Sequence, residues 1–179
     1  MLKAIYDLYS REEIGKVRVE FSAGAGYFCT LSGNVKIDKT FTAKAEARMQ
    51  EYVEEAIPIK KEVVNTQEAI ARFSEYGMSD KAALFRYRRA SKVNIYSIGG
   101  FQDYYYGYMV PNTCYLKWFA LEPFEDGFIL QFPKKEAWGI VPPVEFSKKV
   151  FDVLRNSEEW GKMLELSTVG ELNDMVAKG

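Results

Sequence analysis

Three pairs of strand-like segments, each pair joined by a short glycine-bearing turn, constrain the fold of this chain more than any other feature. Residues 17–21 (Val-Arg-Val-Glu-Phe) alternate apolar and polar side chains, and Gly24-Ala-Gly26 turns them into residues 27–31. Residues 93–98 pass through Gly99-Gly100 into residues 101–109, and residues 115–124 pass through Glu125-Asp126-Gly127 into residues 128–132. Two such runs around a tight turn are the signature of a hairpin. Consecutive hairpins build antiparallel sheet, because a parallel connection needs a crossover of about a dozen residues or more. One face of such a sheet must then be covered.

Helical periodicity supplies the cover. Leu2, Ile5, Tyr6 and Tyr9 mark a helix over residues 1–9 that starts without a cap, as a simply uncapped terminus or a cut edge would. Thr40 is placed to cap a helix reaching Ala56, with Phe41, Ala45, Met49, Tyr52 and Val53 on its apolar stripe. After Pro58, residues 59–64 read as a strand. Asn65-Thr-Gln-Glu68 is close to a capping box for a helix with Ala69, Ile70, Phe73 and Tyr76 inward, ended by Gly77. Ser79 opens a short helix to about Arg86. Pro133, Pro142 and Pro143 break regular structure, and only helices follow. Phe146, Val150, Val153 and Leu154 mark one, residues 157–166 the next, and Thr168-Val-Gly-Glu171 opens a last one carrying Leu172, Met175 and Val176. Gly179 suits a helix C-cap leading onward. The expected fold is α+β: an antiparallel sheet with helices packed on one face over residues 1–142, then a helical C-terminal extension over 143–179.

Chemistry is narrowed by one count, since the chain contains no histidine. That removes Ser-His-Asp and Cys-His catalysis and every zinc site that uses histidine. Two cysteines, Cys29 and Cys114, make neither a four-cysteine zinc site nor a disulfide framework, so no metal is expected. Chemistry by carboxylates, Lys, Arg, Tyr or backbone stays open, but no constellation of them marks a catalytic residue. With 24 basic and 25 acidic residues, no global field draws the chain to nucleic acid or membrane, though local patches remain open. No apolar run is long enough to span a bilayer and no secretory leader is evident, so a cytoplasmic location is expected.

Arg86, Arg88, Arg89 and Lys92 put four cations within seven residues. They could grip phosphates, with nearby aromatics stacking bases, or simply solvate a helix end. In Asp103-Tyr104-Tyr105-Tyr106-Gly107-Tyr108, a strand would place Tyr104, Tyr106 and Tyr108 on one face and Asp103 and Tyr105 on the other. Such tyrosines could line a nucleoside or aminoacyl pocket, or pack under helices with their hydroxyls in solvent. Cys114 has no base nearby in sequence to activate it, so it reads as buried and inert. The carboxylates Glu122, Glu125 and Asp126 read as turn residues, and Gly24-Ala-Gly26 as a hairpin turn without the Lys-Ser/Thr of a phosphate-binding loop.

Phe101-Gln-Asp103, Gly107-Tyr-Met-Val-Pro-Asn-Thr113 and Tyr115-Leu-Lys117 together resemble the second additional, editing domain of threonyl-tRNA synthetases. The family's cysteine position is Tyr105 here and its histidine position is Met109. The family's second histidine motif would lie just before Met1. The resemblance therefore implies the scaffold without editing hydrolysis. Residues 81–117, and residues 159–173 with Glu159-Trp160-Gly-Lys-Met-Leu and Thr168-Val-Gly-Glu-Leu-Asn173, also resemble bacterial uridine kinase-like nucleoside kinases with a synthetase-like N-terminal region.

On that second resemblance, residues 1–142 are an editing-domain-like module and residues 143–179 a helical connector to a P-loop kinase domain beyond this chain. ATP and magnesium are implied for that kinase domain alone, and no cofactor is expected in this segment. The resemblance implies an accessory, non-catalytic role in a nucleoside-phosphorylating parent, with a nucleotide-like or aminoacyl ligand in a pocket of Arg88, Asp103, Tyr105 and Asn112. The alternative is an RNA- or tRNA-binding remnant of an editing domain that uses Arg86, Arg88, Arg89 and Lys92.

Overall fold

The computed structural model describes residues 1–145, 147–164 and 168–178. Phe146 and Gly179, assigned above to helix positions, and residues 165–167, which include Leu166, lie outside the described residues. In chain order the elements are α1 (Leu2–Leu8), α2 (Arg11–Ile14), β1 (Val17–Ala23), β2 (Gly26–Leu31) and α3 (Lys39–Glu55). Next come β3 (Ile59–Asn65), α4 (Thr66–Glu75), α5 (Ser79–Arg86), β4 (Lys92–Ile98) and β5 (Phe101–Tyr104). A 3-10 turn (Thr113–Tyr115), β6 (Ala120–Phe124), β7 (Gly127–Gln131), α6 (Lys148–Met163) and α7 (Val169–Lys178) complete the chain. All strand pairs are antiparallel and the class is α+β as expected, with the strands divided between two sheets. The chain forms two compact units, residues 1–58 with 110–151, and residues 59–109 with 152–179.

The first unit is built on the sheet β1-β2-β7-β6. Alternation sends neighbouring residues to opposite faces, so Cys29 and Phe128 join Ile5, Phe41, Ala45 and Leu121 on the side covered by α1 and α3. Phe28 and Ile129 point the other way, to Ala23 and Phe151. The Phe151 ring is 4.9 Å from Phe28, 5.1 Å from Phe124 and 5.7 Å from Phe21, all edge-on, the geometry that aromatic quadrupoles favour. Gly127 is where it is because a Cβ there would lie 2.3 Å from the Cys29 carbonyl oxygen.

The cap of α3 is Asp38 rather than Thr40. Its Oδ1 accepts from the backbone of Thr40 (2.9 Å) and Phe41 (3.0 Å), and bonding to the Phe41 N–H above all holds the carboxyl below its usual pKa. An aspartate two residues earlier satisfies the orphan N–H groups of the first turn better than the threonine can. The helix ends on Ala56 in the left-handed region, φ 50°. Ser10 and Glu13 form a full capping box on α2 that the hydrophobic pattern did not mark.

The second unit carries the sheet β3-β4-β5. Val64, Val93 and Ile95 face Ala69, Phe73, Ala82 and Phe85 of α4 and α5. Asn65 does not cap α4 through its side chain. Thr66 instead donates its hydroxyl to the Ala90 carbonyl at 2.5 Å, while Glu68 is drawn to Arg72, which also holds Glu62 through two hydrogen bonds of 2.7 and 3.0 Å. Tyr76, expected inward, stays 40 % exposed. α7 packs on α5, where Gly170 leaves room for Ala83 and Leu84. Its capping box is as expected: Thr168 N donates to Glu171 at 2.8 Å and Glu171 N to the Thr168 hydroxyl at 3.2 Å. α6 is one continuous helix from Lys148 to Met163 rather than two. No helix among the described residues is long and apolar enough to cross a membrane.

Candidate nucleic-acid interface

The four clustered cations all belong to the second unit, and they separate into two kinds. Arg86 ends α5, Arg89 lies in the connection to β4, and Lys92 is the first residue of β4. All three are exposed, and none of their charged groups makes a hydrogen bond or ion pair among the described residues. Arg88 is turned inward. Its Nη1 donates to the Tyr104 hydroxyl at 2.6 Å, and its guanidinium lies 5.1 Å from the Tyr104 ring centre and 5.3 Å from that of Phe85. Its Nε is buried without a hydrogen-bond partner among the described residues. Arg88 thus pins the connection between α5 and β4 to the sheet, and that connection presents Arg86, Arg89 and Lys92 to solvent.

β5 ends at Tyr104, short of the expected strand to residue 109, and the tyrosines divide accordingly. Tyr104 packs edge-on against Phe85 at 4.8 Å. Asp103 is buried and accepts from Lys81 Nζ and, at 2.7 Å, from the Tyr104 backbone. Opposite it in the register, Tyr96 donates its hydroxyl to the Gly107 carbonyl at 3.0 Å. That bond ties down the Tyr105–Tyr108 segment, which bends at Tyr106-Gly107. Tyr105 rests on Tyr96 at 6.2 Å and is still 40 % exposed; its partial desolvation, with the Asp103 charge nearby, pushes its pKa up. Tyr106 and Tyr108 stand 89 % and 94 % exposed, with Lys61 Nζ 5.1 Å from the Tyr108 ring centre.

Asn112 belongs to the first unit, whereas Arg88, Asp103 and Tyr105 belong to the second. Its Oδ1 accepts from the Cys114 backbone at 3.0 Å, and its own backbone bridges Pro58. Thr113 donates its N–H to the Ile57 carbonyl at 3.0 Å and its hydroxyl to the Tyr52 carbonyl. The Val-Pro-Asn-Thr segment is therefore a lock on the end of α3. Of the four residues proposed to line a ligand pocket, Arg88, Asp103 and Asn112 already have polar groups engaged inside the protein.

Sequence reasoning missed a polar cluster in the first unit. Asp7 accepts from Lys3 Nζ (2.7 Å) and from the Tyr52 hydroxyl, with Arg48 3.5 Å away. Lys3 and Arg48 lie 5.2 and 4.7 Å from the Tyr52 ring centre. Spacing within each helix hints at such pairs, but only packing of α1 on α3 assembles them. A groove of about 550 Å³ runs between α3 and β6, lined by Thr42, Glu46, Gln50, Phe119 and Leu121 among others. Glu46 is not free there, since it accepts from the Leu121 backbone at 3.0 Å. Of the cysteines, Cys29 is fully buried and burial, with Glu20 adding to it, pushes its thiol up to about 12. Among the described residues no group of three or more Cys, Asp or Glu side chains is placed to hold a metal ion.

No family model matches the chain. It is similar to a segment of threonine–tRNA ligases. The Campylobacter jejuni enzyme is 30 % identical over 138 residues, which is 76 % of this chain and 22 % of the relative. That of Helicobacter hepaticus is 30 % identical over 131 residues (72 % and 20 %), and that of Burkholderia lata 34 % over 97 residues (54 % and 15 %). The chain thus spans about a fifth of the length of the curated relatives it matches.

Proposed function

We propose that the chain is a tRNA-binding module of the threonyl-tRNA synthetase editing-domain type, without hydrolytic activity of its own. Arg86, Arg89 and Lys92 contact backbone phosphates, while Arg88 holds the segment that carries them. The observation that supports this reading is the division of labour in the cluster: three exposed, unpaired cations on a connection whose fourth cation is anchored at 2.6 Å to Tyr104. Cations free of internal partners can release the counterions condensed on a polyanion, the main source of sequence-independent affinity. Relatedness to threonine–tRNA ligases favours tRNA as the polyanion. The accessory-region reading within a uridine kinase-like parent rests on the motifs in residues 81–117 and 159–173 alone, and the relatives reported above lend it no weight.

Binding of unfractionated tRNA, followed by filter retention across 50–200 mM salt, tests the proposal. Affinity should fall steeply with salt, and the triple substitution Arg86→Ala, Arg89→Ala, Lys92→Ala should flatten the slope by about 2 to 3 on a log–log plot, roughly 0.7–0.9 per phosphate contact. Arg88→Ala should instead lower the melting temperature. Salt-insensitive binding, or a triple variant that binds like the parent, overturns the reading.

A further inference from the structure

We propose that the first unit carries a second and separate nucleic-acid surface, a tryptophan–lysine ledge that takes unpaired bases of a single-stranded polynucleotide. It is formed by two segments, residues 115–118 and 134–140. The second is wound into consecutive turns, with Ala137 N donating to the Lys134 carbonyl and Ile140 N to the Ala137 carbonyl, both at 3.1 Å. Gly139, at φ +86°, brings this segment against the first: a Cβ built on it would lie 3.6 Å from the Trp118 indole. Its neighbour Trp138 is 81 % exposed and Trp118 itself 48 % exposed. Two indoles on adjoining backbone segments, both open to solvent, are a costly surface to leave bare.

Charge decides what covers it. Lys117, Lys134 and Lys135 are all exposed on these two segments, and Glu136 is their single acidic residue. None of the three ammonium groups makes a hydrogen bond or ion pair among the described residues. Flat aromatic faces beside unpaired cations match a ligand with flat apolar faces and a regularly spaced negative backbone, which is single-stranded nucleic acid. An acidic peptide answers the charge but not the indoles, and an apolar helix answers the indoles but not the charge. The ledge is independent of Arg86, Arg89 and Lys92, which lie in the other unit.

The test uses the whole chain with Trp160→Phe, which leaves Trp118 and Trp138 as the indole reporters, and the probes rA12, dA12 and poly-L-glutamate. Titration with rA12 should quench tryptophan fluorescence. Trp138→Ala should weaken rA12 binding about tenfold, the loss of one stacked base, and Trp138→Phe should restore most of it. Lys134→Ala with Lys135→Ala should lower the salt slope by about 1.4. The Arg86, Arg89, Lys92 triple variant should leave rA12 affinity within about twofold, far inside the tenfold expected for one stacked base. Equal binding of dA12 supports stacking and charge alone, and preference for rA12 supports a ledge that also reads the ribose. Equal quenching by poly-L-glutamate, no quenching by rA12, or an unaltered affinity in Trp138→Ala overturns the proposal, since an 81 % exposed side chain can be replaced without unfolding the protein. If tRNA fails to bind while rA12 still quenches, the tRNA reading falls and the ledge stands. If tRNA binds through the arginines and rA12 does not quench, the ledge falls alone.

Discussion

Asp7 sits where burial would raise its pKa, but hydrogen bonds from Lys3, Tyr52 and Arg48 together outweigh that and hold it below the usual carboxylate range. A carboxyl whose folded pKa lies below its unfolded value contributes stability that is complete above the unfolded pKa, about 4, and disappears as pH falls through the folded one. Thermal melts between pH 7 and pH 2 should therefore show a steeper acid-side loss for the parent than for Asp7→Asn, with the two curves converging at the acid end. Parallel curves would show that the Lys3–Tyr52–Arg48 cluster does not bias ionisation of Asp7. The cysteines give a second residue-scale contrast. A thiol pushed up to about 12 and closed off from solvent supplies almost no thiolate at pH 8. Native protein treated with a disulfide reagent should be labelled at Cys114, which is partly exposed rather than buried as its sequence context suggested, and spared at Cys29, and denaturant should open both. Rapid native labelling of Cys29 would refute its burial.

Among the elements, β6 is the edge of the first sheet nearest α3, and edges invite pairing with other chains. This edge is blunted twice. The outward N–H of Leu121 is taken by Glu46, and two residues on, at the same outward position, Pro123 has no N–H to offer. Glu46→Ala leaves the Leu121 N–H without its partner and should cost about 1–3 kcal/mol in chemical denaturation. Glu46→Gln keeps an acceptor and should recover most of that. Elements were legible in sequence where one local rule governs them. The α7 capping box follows from Thr168 and Glu171, and the hairpins follow from their alternation and turns. Local rules failed where tertiary partners compete for the same groups. The Asn65 box did not form, because Thr66 bonds Ala90 and Glu68 bonds Arg72. The tyrosine segment after Tyr104 left the strand because Tyr96 holds it through Gly107.

In the molecule as a whole, each unit is assembled from two stretches of chain, and Phe151 closes the first of them. Seated among Phe21, Phe28 and Phe124, it is 2 % exposed, so Phe151→Ala should cost about 3–5 kcal/mol through lost transfer and the cavity left behind. Hydrogen exchange should then speed up in β2 and β7 well before it does in β3 and β4. Uniform acceleration would show that the two units unfold as one. The sequence by itself determined the α+β class, the antiparallel hairpins, most helices and the absence of histidine chemistry, because periodicity, turn residues and composition are properties of neighbours along the chain. Only the tertiary structure decided that the strands form two sheets and that Arg88 is anchored inside while Arg86, Arg89 and Lys92 are free. The same holds for Gly139 packing against the Trp118 indole. Each of these depends on which groups distant along the chain are packed together, and that is not a property of sequence neighbours.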